Sequence, residues 1–193
     1  MKDGLAHIGS NRALLGLLTL GFVPMLVGMP YQTLLPVFAE SVYGVGAAGL
    51  GIMSAAGGIG ALAGSLSLAV VARSKGSGSL QLALGLGFGL SLVGLGAAPS
   101  FPVALFFLVL IGFTFAGYAA LNQTLVMERA DPQYHGRVTS VYLMSFGFLP
   151  LATFPEAWAA DHFGAPAVVA GAGVLVALTV VLSLLVPSYR RLG

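Results

Sequence analysis

The residues able to do chemistry in this chain are few, and nearly all are uncharged. Glu156 is the one acid set within a long apolar run, and a carboxylate there either couples proton entry to the movement of a solute or snorkels to the nearest interface. Asp161 follows five residues later, about 7 Å along a helix axis, which keeps both roles open. Tyr31 with Gln32, and Tyr118 with Asn122 and Gln123, place neutral hydrogen-bonding groups in two other apolar runs. Polar groups in lipid must find partners. Each of these therefore either bonds a neighbouring helix, worth about 0.6–2 kcal/mol, or contacts water or a transported solute.

Catalysis at membrane depth needs a nucleophile beside a base, or a set of metal ligands. Ser54 and Ser65 have no base in their own run, and His7, His135 and His162 all fall outside the apolar runs. Neither Gly-x-Ser-x-Gly nor His-Glu-x-x-His occurs. Gly58-Ile59-Gly60-Ala61-Leu62-Ala63-Gly64 has the glycines of a dinucleotide loop, but no strand precedes it and no phosphate-binding lysine follows. No enzyme activity, metal or cofactor is expected. A net charge of +2, thinly spread, gives no basic patch, so no nucleic-acid partner is expected either.

The elements that must position these groups are delimited by charges. Hydrophobic residues make up 58% of the chain and charged residues 7%, against roughly 25% charged in a soluble domain. A charge at the bilayer centre costs about 2.5–3.5 kcal/mol on insertion scales, so charges mark the ends of spans. Ala13 to Ala39 and Ser41 to Ala72 contain none, and each exceeds the roughly 20 residues that cross a bilayer. Gly76 to Met127 is long enough for two crossings and is broken at Ala98-Pro99-Ser100-Phe101-Pro102. Two more apolar segments follow Arg137 and Gly164. The expectation is an all-α integral membrane protein, a single bundle over 1–193 with six transmembrane helices at about 13–38, 45–72, 79–98, 102–127, 138–160 and 166–187. Its first partner is the lipid bilayer.

All eight basic residues fall on one side of that arrangement: Lys2, Arg12, Arg73, Lys75, Arg129, Arg137, Arg190 and Arg191. The opposite loops carry Glu40 and Asp161. Basic residues are retained in the cytoplasm, which predicts a multi-pass protein of the plasma (cytoplasmic) membrane with both termini inside. Arg73, Lys75, Glu128, Asp131, Gly136 and Arg137 then lie at cytoplasmic junctions, as solvated loops or as gating contacts that lock one access state. Ala56, Gly60 and Gly64 recur every four residues, and Gly85 with Gly89 repeats the spacing. Small residues so spaced let helix backbones approach closely in lipid.

Several stretches resemble the major facilitator superfamily, in particular a bacterial exporter branch that includes enterobactin-exporter-like proteins. They are Asp3-Gly4-Leu5 with Asn11-Arg12-Ala13-Leu14, Met29 through Val37, Gly49 through Gly64, Asn122 with Asp131, Gly136, Arg137, Val138 and Ser140, and Pro150-Leu151 with Asp161 through Pro166. In order and spacing they are similar to helices seven to twelve of a twelve-helix fold. The family's Arg-Gly-Arg loop reads His135-Gly136-Arg137 here. The resemblance implies a carboxy-terminal half that pairs with a missing amino-terminal six-helix half around a midplane site. It implies secondary active transport, proton-driven efflux of a small-molecule substrate. The alternative from another class is a half-size membrane scaffold or assembly partner without transport of its own.

Overall fold

The computed structural model describes residues 22, 24–71, 77–129, 136, 139–140, 147 and 149–184. Regular structure among them is entirely helical. Helix α1 spans Tyr31–Val37 and runs into a π-helical turn at Phe38–Val42; α2 spans Gly46–Val71, α3 Ser77–Gly96, α4 Phe101–Arg129, α5 Leu149–Phe163 and α6 Ala165–Leu184. Four stretches, Gly46–Leu68, Gly78–Gly96, Phe101–Glu128 and Ala165–Ser183, are long and apolar enough to cross a membrane. Six spans are expected from the charges, and the described residues supply four. The described parts of α1 and α5 are shorter than a crossing, and much of 13–38 and 138–160 falls outside the described residues, as do Arg73, Lys75, Asp131 and Arg137.

Local chemistry sets the helix ends. Gly44 and Gly46 adopt φ of +64° and +62° between α1 and α2, a region that glycine enters without steric cost. Pro99 and Pro102 bracket the α3–α4 turn, where a missing amide costs least at the start of the new helix. Gly164, at φ +84°, separates α5 from α6. These three short turns share one end of the bundle: Tyr43 bonds Ala98, and a Cβ on Gly96 would meet Ala170 and the Pro166 carbonyl.

In the interior α4 packs against α2 on one side and α3 on the other, and α3 packs against α6. Glycines permit both close crossings. A Cβ on Gly60 or Gly64 would strike the Val109 and Phe113 backbone, and one on Gly112 would strike Gly57 and lie 2.8 Å from Ala61 N. At the other crossing a Cβ on Gly89 would come within 2.8 Å of Ala177 N and Gly173 O, while one on Gly85 would meet Tyr118 and Val180. Ala56 is buried beside the first crossing. The core holds Leu34 and Leu35 of α1 and Phe38 of the π-turn with Met53, Phe88, Leu92, Leu108 and Val176. The short α1 is thus wedged into the end of the bundle that bears the turns.

Candidate functional site

A cavity of about 510 Å³ lies between α1, α2 and α4. Its walls include Met29, Gln32 and Pro36 from α1 and its lead-in, Met53 and Gly57 from α2, and Phe115 from α4. No Asp, Glu, His, Lys or Arg lines it. Ser54 also borders it, but its hydroxyl donates to the Leu50 carbonyl of its own helix at 2.9 Å. Gln32 is exposed, whereas Tyr31 beside it is buried. Pro36 has no N–H to give the Gln32 carbonyl, so residue 32 offers an amide side chain and a backbone acceptor lacking its helical partner. Gly57 and Gly112 keep the floor low, and the two methionines provide flexible apolar surface that adapts to irregular shapes. The cavity thus joins a mostly apolar lining to one exposed amide side chain.

The other pathway candidates lie elsewhere. Tyr118 is 2% exposed and lies against Gly85 and Val180, facing α3 and α6. Asn122, 1% exposed, follows one turn later. Helical register puts Gln81 of α3 and Ser183 of α6 at that same level, and both are buried. Gln81 is polar and lies within an expected span, so the criterion that selects Gln32 also selects it, although sequence reasoning passed over it. Its Nε2 is buried without a hydrogen-bond partner. Gln123 lies with Glu128, Thr124 and Met127 in an open groove of about 600 Å³ at the end away from the short turns. Gly136 is exposed, and its carbonyl accepts from the Ser140 hydroxyl at 2.8 Å. Glu156 stands apart on α5, half-buried, next to Pro155 within the helix. The structure thus brings Tyr31 and Gln32 together at one cavity and separates them from Tyr118, Asn122, Gln123 and Glu156. Among the described residues, no group of three or more His, Asp or Glu is placed to hold a metal ion.

The model of the Major Facilitator Superfamily matches residues 2–155. The chain belongs to the major facilitator superfamily. It is therefore a multi-pass membrane protein built for transport, in a superfamily whose members are generally not enzymes. No curated protein and no solved structure matches it significantly. For a major facilitator chain, the uncharged cavity beside Gln32 gives a specific expectation: Gln32→Leu should weaken retention of a hydrogen-bonding solute by up to about tenfold, the worth of one or two neutral hydrogen bonds. Because Gln32 also hydrogen-bonds the buried Tyr31 side chain, stability to thermal unfolding should fall by no more than the worth of that one bond, about 1 kcal/mol. Equilibrium binding of radiolabelled chloramphenicol, a neutral aromatic amide, beside a melting curve would check both parts.

Proposed function

We propose that this chain is the carboxy-terminal six-helix half of a secondary transporter of the bacterial, enterobactin-exporter-like branch, which moves a small neutral organic molecule outward and is driven by protons. The cavity beside Gln32 carries the reading. It is apolar, lined from three helices and partly open, as half of a shared site would be when an amino-terminal six-helix half completes it. Gating, from the sequence order of the charges, falls to Arg73, Lys75, Glu128, Asp131, Gly136 and Arg137, with Glu156 as the proton-coupling residue. Co-expression with the preceding half, reconstitution into liposomes and an imposed pH gradient provide the test. Gradient-dependent movement of chloramphenicol supports the proposal, and a chain that moves no neutral aromatic solute with its partner half present would make it a scaffold instead.

Topology gives a second expectation. With both termini in the cytoplasm of a plasma-membrane protein, reporters fused after Lys75 and after Arg190 should report the same compartment. A reporter after Asp161 should report the other. Opposite locations for the Lys75 and Arg190 fusions would remove the six-span arrangement.

A further inference from the structure

The outer end of α1 is softened at three successive places. Pro36 breaks the amide ladder inside the helix, Phe38–Val42 forms a π-turn, and Gly44 and Gly46 hold positive φ. Tyr43 N–H closes the π-turn by donating to Phe38 O at 2.9 Å, and just beyond it Val45 N–H donates back to Ala39 O at 2.7 Å. π-turns are rare and concentrate at functional sites. A segment this irregular keeps its place only if something outside it holds it.

Tyr43 is the side chain placed to do so. Its hydroxyl donates to the Ala98 carbonyl, 55 residues away on the α3–α4 turn, at 3.1 Å. Its ring meets Phe101 edge-on at 6.0 Å between centroids and lies 6.2 Å from Phe38. Burial pushes the Tyr43 phenol above its usual pKa, so it remains a hydrogen-bond donor at ordinary pH. Directly inward along the same helix, Pro36, Leu35 and Gln32 form one wall of the cavity. The tether and the wall are therefore joined by the softened segment itself.

We propose that Tyr43 is a positioning residue for the cavity: its bond to Ala98 pins the outer end of α1 to the α3–α4 turn, and releasing it lets the α1 wall swing about Pro36–Val42 and open the cavity. The inference rests on the transport reading of the cavity, but its test needs no solute. The chain has no cysteine, so a single introduced thiol reports local access. Met53 lines the cavity and is fully buried; Val180 is fully buried between α3 and α6 and lies outside the cavity lining.

In the membrane-embedded chain carrying Met53→Cys, adding Tyr43→Phe should raise the rate of N-ethylmaleimide labelling about three- to tenfold, the population change expected from one net hydrogen bond. The same change in a Val180→Cys background should leave labelling unaltered. Tyr43→Phe keeps the ring and its packing, so the chain should fold. Tyr43→Leu, which also loses the ring contacts, should label Met53→Cys faster still. Equal acceleration at Val180→Cys would mean general loosening and overturn the positioning role, and an unchanged rate at Met53→Cys would overturn the tether. Failure of the paired halves to move any solute would count against the transport reading without altering either labelling result.

Discussion

Gly112→Val should unfold the α2–α4 pair and with it the chain, whereas Gly51→Val should be tolerated. Both are glycines inside long membrane helices, Gly112 near the middle of α4 and Gly51 in the second turn of α2, so helix propensity treats them nearly alike. Their surroundings differ. A Cβ on Gly112 would overlap the Gly57 carbonyl and lie 2.8 Å from Ala61 N, while nothing lies within 4 Å of one on Gly51. The Gly112 clash is with backbone, which cannot rotate away, and α2 faces its own glycines, Gly60 and Gly64, against α4. Separating the helices by the width of a side chain would forfeit the dispersion contacts that drive association in lipid. The expected cost is about 3 kcal/mol or more, the upper range for overpacking, against about 0.5 kcal/mol for Gly51→Val. Helicity followed through a denaturing detergent titration measures both. Equal midpoints for the two variants would refute the claim that α4 is seated on α2 through these glycines.

Helix ends were legible in the sequence for a physical reason, and helix faces were not, for a related one. Charges are excluded from the hydrocarbon, and Gly44, Gly46, Pro99, Pro102 and Gly164 make turns that few other residues make so easily. The four long helices therefore run between readable signals. Lipid, however, is as apolar as a protein core, so Leu66 and Leu62 on the exposed side of α2 look like Met53 on its buried side. No polar stripe reveals rotation in such a helix. That is why Tyr31 with Gln32 and Tyr118 with Asn122 read alike as pathway residues, although the first pair borders the cavity while Tyr118 lies against Gly85 of α3 and Asn122 is buried outside the cavity lining. The Tyr43 tether was hidden for another reason, since it joins residues 55 apart in the chain. Fine spacing of small residues was the one guide to faces. It could be read because close backbone approach demands glycine or alanine whatever the solvent.

Glu156→Gln should uncouple transport from protons, lowering gradient-driven movement at least about tenfold while leaving solute exchange without a gradient largely intact. The size follows from a carboxylate that acts as the proton carrier, since each 1.4 kcal/mol of lost coupling is a factor of ten. Glu156 is half-buried on α5, and its Oε1 is buried without a hydrogen-bond partner. A charge so placed is costly to keep and a neutral acid much less so, so under the proposed coupling, binding and losing a proton would change how readily this part of α5 sits in the bundle. Pro155 adjoins it and removes the amide that the Leu151 carbonyl would accept from, a point where the helix can bend or admit water. Glutamine copies the shape and hydrogen bonding of the protonated acid but never releases a proton, so the variant should resemble a transporter held in its loaded state. The competing role for Glu156 is a side chain that reaches the membrane surface near Asp161 and His162, both exposed on the same helix. The two roles diverge with pH. Proton coupling predicts that the native carboxylate gives a flux that depends on pH and on the imposed gradient, and that Glu156→Gln flattens both. A surface role predicts that the two proteins remain superimposable from pH 6 to 8. Superimposable profiles in proteoliposomes, with protein amounts matched, would end the coupling assignment and leave the driving force to be sought at another residue.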